Sequence, residues 1–175
     1  MERAIEELEE KLKHFVTNMA IQIISNYRKP NRKILQYPDD RLRQVSKEVI
    51  NIDGSIQKIA NKLTQVLRDI DKPFVPWLGM AAPQIGYNRR VIVIKEGLNK
   101  YLIMVNPEIV NQKWSFPAVS SCYSLKGLYL VKSPYWLKIT YMDIKGNFHI
   151  EVFTGGQAIL LKQEIDHLNG RLVCD

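Results

Sequence analysis

Residues 157–168, near the C-terminal end of the sequence, read as a helix that is apolar on most of its sides, with Ala158, Leu160, Leu161, Ile165 and Leu168. A helix of that pattern must be covered by other elements. Into it are set Glu164 and His167, which are costly to bury unless something partners them. Asn169-Gly170 ends the segment, with glycine just past the last turn as helix termini favour. Within it, Gln163-Glu164-Ile165-Asp166-His167 places positions 163 and 167 one turn apart on one face. The H-E-x-x-H motif uses that spacing to hold a metal with two imidazoles, its Glu acting as general base on bound water. Here the first imidazole is replaced by the Gln163 amide. An amide oxygen is a weaker and harder ligand than an imidazole nitrogen. A structural ion pair is the other account of Glu164 and His167.

What precedes this helix decides the fold class. Residues 55–70 carry Ile56, Ile59, Ala60, Leu63, Val66, Leu67 and Ile70 on one helical face, and Asp71-Lys72-Pro73 stops them. Apolar runs bounded by turn residues follow at Val91–Ile94, Tyr101–Val105, Leu128–Lys132, Trp136–Met142 and Phe148–Phe153. Asp143 to Asn147 closes a hairpin between the last two, and Gly155-Gly156 breaks the chain before the final helix. Helices, then strands, then a helix is an α+β order.

The N-terminal part reads differently. Ile5, Leu8, Leu12, Phe15 and Met19 form a heptad-like stripe on a helix over residues 3–26. Such a stripe docks on the body of its own chain or makes a homodimer through residues 3–26. Docking is the commoner outcome, because the repeat fails at Gln22. Tyr27 to Lys33 is a basic, proline-containing connector.

The chain has 175 residues, 46% of them hydrophobic and 25% charged, which describes a soluble globular domain. No apolar run reaches the ~18 residues of a membrane span. Five glutamates within the first ten residues argue against a signal or transit peptide, so the expected location is cytoplasmic. Net charge is +7, with the acidic first thirteen residues at −2 and the remainder at +9. A basic body can sit near RNA, the ribosome or an acidic surface, although solubility alone accounts for such a charge. No zinc-finger, RNP or homeodomain-like pattern points to specific nucleic-acid recognition. Cys122 and Cys174 are too few for a disulfide scaffold.

Two further segments belong with the final helix. Gly79-Met80-Ala81-Ala82-Pro83-Gln84-Ile85-Gly86 lets backbone approach a ligand, and Gln84 offers an amide donor to a carbonyl oxygen. Ser120-Ser121-Cys122-Tyr123-Ser124 holds a cysteine that is either a thiolate ligand or a buried hydrophobe. In this order the three segments resemble the G-x-G-L-A-A-P-Q, E-G-C-L-S and H-E-x-D-H motifs of the peptide deformylase family. Ile34 to Arg43 is similar to that family's opening strand and turn, and Val105-Asn106-Pro107-Glu108-Ile109 to its L-V-N-P-E-I strand. The resemblance runs from about residue 34 to the C-terminus, leaving 1–33 as a helical extension and connector.

It implies an α+β fold with antiparallel strands around a central C-terminal metal-motif helix. It implies iron or zinc as a divalent metal, and N-formylmethionyl peptides or nascent chains as substrate, met close to the ribosome. Cys122, Gln163 and His167 match the metal ligands and Glu164 the general acid/base. Gln84 and the backbone N–H of Tyr123 match the donors to the oxyanion, and Gly79 matches a position lining the substrate cleft. The sequence departs from the pattern at Gln163, at Trp77 for the first glycine, at Ser120-Ser121 for Glu-Gly, at Tyr123 for an apolar residue and at Lys132-Ser133 for Pro-Arg. These departures cluster on one cleft, so the expectation is impaired or altered deformylation. The alternative is an inactive homologue that binds a peptide or partner. A cysteine hydrolase built on Cys122 and His167 is a further class.

Overall fold

The computed structural model describes residues 33–71 and 77–175. The helix expected over residues 3–26, and any dimer through it, lies outside them.

Asp53 starts helix α1 (Gly54–Ile70), its carboxylate accepting from the backbone N–H groups of Ser55 at 2.8 Å and Ile56 at 3.2 Å. Those are two of the amides that a first helical turn leaves unpaired. Five strands then form one antiparallel sheet in chain order: β1 (Gly79–Ala81), β2 (Val91–Gly97), β3 (Lys100–Ser120), β4 (Tyr129–Met142) and β5 (Phe148–Thr154). A 3₁₀ turn, Ala82–Ile85, follows β1. Helix α2 (Gly156–Leu168) closes the fold.

Val91, Ile92, Val93 and Ile94 of β2 are all fully buried. Alternate side chains of a strand face opposite ways, and here each face has its own helix. Val91 and Val93 join the apolar cluster of α1 with Ile56, Ile59, Leu63, Val66 and Leu67. Ile92 and Ile94 join that of α2 with Ala158, Leu161, Ile165 and Leu168. The second strand thus lies between two helices, and the motif helix is buried as its composition requires. Among the described residues no helix is long and apolar enough to cross a membrane.

Three details differ from the sequence reading. The small-residue segment Gly79 to Gly86, for which the sequence suggests no regular element, contains β1 and the 3₁₀ turn. Tyr101–Val105 is the start of a strand that runs on to Ser120, its pairing shifted between Val105 and Glu108 and again between Ile109 and Asn111. The runs at Leu128–Lys132 and Trp136–Met142 fall in one strand that begins at Tyr129, because Pro134 pairs opposite Ser115 without ending the ladder.

The C-terminus of α2 is held from outside. Ser46 donates its backbone N–H to the Leu168 carbonyl at 2.7 Å, and Arg90 reaches the Asn169 side chain at 2.9 Å. Gly170 has φ +71, and a Cβ there would lie 2.4 Å from the Arg43 carbonyl oxygen, so only glycine fits.

Candidate active site

Helix α2 presents His167 and Glu164 toward the sheet, 1% and 2% exposed. The loop between β3 and β4 brings Cys122 to them: its Sγ lies 3.2 Å from His167 Nε2. The 3₁₀ turn after β1 supplies Gln84, also buried, whose Oε1 accepts from the Ala81 N–H at 2.9 Å. That bond aims its Nε2 at Cys122 Sγ, 3.6 Å away, and at Ser124 Oγ, 3.3 Å away. Gly79 lies against the same helix, where an added Cβ would stand 3.1 Å from Glu164 Cγ. All three segments singled out in the sequence therefore converge.

Residues 34–37 position two of them. Leu35 donates its N–H to the Gln84 carbonyl at 2.7 Å and Tyr37 to the Ser124 carbonyl at 2.8 Å. The Gln36 amide reaches the Tyr123 carbonyl at 2.9 Å. The resemblance implies an opening strand and turn here; the turn is present, but residues 34–37 form no strand. Their clamping of both loops is a tertiary fact with no local signature. Ser124, named in the sequence only as part of the cysteine segment, is fully buried and its N–H points to Cys122 Sγ at 3.4 Å.

Gln163 is tied down. Its Oε1 accepts from Ser120 Oγ at 2.7 Å, and its Nε2 donates to the Ser121 carbonyl at 3.1 Å. The Ser120 hydroxyl and the Gln163 amide are thus one side-chain pair, and the departures at positions 120 and 163 are coupled; Ser121 lends only its backbone carbonyl. Trp77 lies elsewhere: its ring covers Gly156, where an added Cβ would come within 2.5 Å of it. Gly156, Leu160 and Glu164 share a helix face at spacings of four, so the ring stands roughly two turns along α2 from the carboxylate.

Burial sets the charges. It pushes the Glu164 carboxyl up to about 8, against a weaker pull from the Ala81 amide. Burial lowers His167 to about 4 and raises the Cys122 thiol to about 12, the latter partly offset by the Ser124 amide. At neutral pH all three are uncharged, which is not the thiolate–imidazolium pair of a cysteine hydrolase. Glu164 Oε2 and His167 Nδ1 are buried without a protein partner, and each such orphan costs about 1–3 kcal/mol.

The chain is 32% identical over 146 residues to the peptide deformylase of Alkalilimnicola ehrlichii, covering 81% of this chain and 79% of that one. For the peptide deformylase of Cellvibrio japonicus the identity is 34% over 146 residues, with 81% and 83% covered. The sequence model of polypeptide deformylase matches residues 31–175. The chain belongs to the polypeptide deformylase family. Solved members share its fold. The peptide deformylase from Legionella pneumophila superposes with a TM-score of 0.74 at 33% identity, over 81% of this chain and 83% of that one. That from Synechococcus elongatus, in complex with actinonin, gives 0.75 at 31%, over 85% and 79%.

Deformylase membership implies a catalytic divalent metal. The donors present do not fit a three-ligand centre. Catalytic zinc sites supply three protein ligands and keep one position open. Cys122 and His167 make two, and the oxygen of Gln163 is committed to Ser120. Among the described residues no three His, Cys, Asp or Glu side chains gather as a metal would need.

Proposed function

We propose that this protein receives the blocked N-terminus of a peptide, an N-formyl or related N-acyl group, in the deformylase pocket. Hydrolysis there is strongly impaired relative to a deformylase with a complete ligand set. The observation that carries this reading is the convergence of Cys122, His167, Gln84 and the Glu164 carboxyl, whose Oε2 has no protein partner, beside a Gln163 amide already engaged by Ser120.

The roles follow from chemistry. Gln84 Nε2 and the Tyr123 backbone N–H are the donors for the carbonyl oxygen of the bound group, where negative charge develops. Burial places the Glu164 carboxyl near 8, so it is its ionised fraction that takes a proton from the nucleophilic water, and the carboxylic acid so formed gives that proton to the departing amine. Gly79 leaves room for peptide backbone. Nascent chains, which begin with such a blocked residue, are the substrate class, and proximity to the ribosome in the cytoplasm belongs to the same reading.

Formate release from a formyl-Met peptide tests it, alongside metal analysis after anaerobic iron or zinc loading. Gln163→His restores a third donor. Its bound metal and its formate release are expected to rise together, by at least the roughly 10–100-fold that attends loss of even a supporting partner of a ligand. Glu164→Ala is expected to abolish the native rate. A second reading, a peptide binder without catalysis, is favoured by the two hydrogen bonds that hold Gln163. It stands instead if Glu164→Ala leaves formate release unchanged while formyl-peptide binding persists.

A further inference from the structure

On the opposite side of the sheet from the site, helix α1 and the chain from Gly86 to Arg89 bound a groove of about 400 Å³. Lys58 and Lys62 stand along one wall, one helical turn apart, and exposed Arg89 stands opposite. Like charges at that helical spacing are unfavourable by roughly 0.2–0.5 kcal/mol. No acid on the helix offsets them. Asp53 is occupied at the N-cap, and Asp69, more than a turn beyond Lys62, is paired with Lys33 and Gln65.

Lys62 is also fixed in place. Its ammonium bonds the Tyr87 hydroxyl and lies 5.0 Å from the centre of that ring. The rotamer freedom of a lysine is thus already spent at the groove wall. Lys47 runs beside Arg89 in a parallel backbone bridge and extends the line of charge. Among the described residues Lys47, Lys58 and Arg89 take part in no ion pair.

We propose that this groove, lined by Lys58, Lys62 and Arg89 and continued by Lys47, binds the phosphodiester backbone of single-stranded RNA without regard to sequence. A concave, cationic channel suits a flexible polyanion that carries one charge per nucleotide. A bilayer fits it poorly. The aliphatic residue of the groove, Ile59, lies in the floor at 6% exposure, so the groove offers no exposed aliphatic side chain to lipid. Guanidinium and ammonium groups on a groove, with no base-reading motif in the sequence, give affinity without sequence choice.

The test is a fluorescence-anisotropy titration of the full-length protein with labelled oligouridylate across a salt series. Three proteins are compared: wild type, Lys58→Gln/Lys62→Gln/Arg89→Gln, and a charge-matched control, Lys113→Gln/Lys138→Gln/Lys145→Gln. The groove variant is expected to lose on the order of ten-fold in affinity, and its log–log salt slope should shrink by about 2 as three phosphate contacts vanish. The control should follow wild type. Lys58→Gln/Arg89→Gln leaves the Lys62–Tyr87 contact intact and should show a smaller loss of the same kind, so the result does not depend on Tyr87 packing. Equal loss in groove and control variants overturns the proposal, since net charge alone would then explain binding. So does an absence of binding at low salt. Tighter groove-dependent binding of polyglutamate or of phosphatidylserine vesicles overturns it as well.

Discussion

Glu164 and His167 sit three residues apart on α2, and burial moves their protons in opposite directions. The Glu164 carboxyl titrates ordinarily near 4.5 and here near 8. Between those values the native chain keeps a proton that the unfolded chain has released, so stability falls as pH rises. His167 goes from 6.5 down to about 4. Across that range the unfolded chain binds the extra proton, and stability rises with pH. The two effects oppose each other between 4.5 and 6.5, and from 6.5 to 8 only that of Glu164 remains. Thermal unfolding of the metal-free protein should therefore show a melting temperature that declines from pH 6.5 to 8, with a flat profile in Glu164→Gln. Gly79 offers a second test at this scale. A Cβ there meets Glu164 Cγ and Leu160 Cδ1 at 3.1 Å and Ile94 Cγ2 at 3.2 Å, in contacts tighter than ordinary packing. Gly79→Ala should cost about 1–3 kcal/mol by overpacking. At about 2–4 °C per kcal/mol for a chain of this size, that is roughly 2–12 °C in melting temperature.

Trp77 and Gly156 come from different elements and have become one feature. The ring precedes β1 and rests on the first residue of α2, where any larger side chain would collide with it. Gly156→Ala should destabilise the wild-type background more than it does Trp77→Ala. A double-mutant cycle by denaturant unfolding should return a coupling of about 0.5–3 kcal/mol. Additive effects would mean that the ring moves aside freely. Ser120, Ser121 and Gln163 show the same behaviour between a strand end and a helix. Ser120 and Gln163 each read alone as a lost motif residue, yet the bond between their side chains couples them, and the backbone carbonyl of Ser121 completes the hold on the amide.

Across the whole molecule, the sheet is unevenly supported. β2 is covered on both faces, by the α1 cluster on one and the α2 cluster on the other. The far part of the β3–β4 pair is not. Asn111 to Ser115 are exposed, and Trp114 is 68% exposed. Amides open with free energies that follow local burial. Native-state hydrogen exchange should find the slowest amides in β2, and amides of residues 111–119 exchanging at least tenfold faster. Comparable protection in the two regions would mean that the arm is covered in solution.

Periodicity in the sequence was enough to place both described helices, the α+β order and the apolar run that becomes β2, because burial writes itself into spacing along the chain. The motif order was enough for the family. It also marked Gly79, Gln84, Cys122, Glu164 and His167, since chemistry demands those residue types. Hidden from it were the continuity of β3 and β4, the clamp from Leu35, Gln36 and Tyr37, the seat of Trp77 on Gly156 and the hold of Ser120 on Gln163. These are contacts between segments distant in the chain. A hydrogen bond or a ring on a glycine leaves no periodic trace in either partner, so only the folded arrangement could decide them.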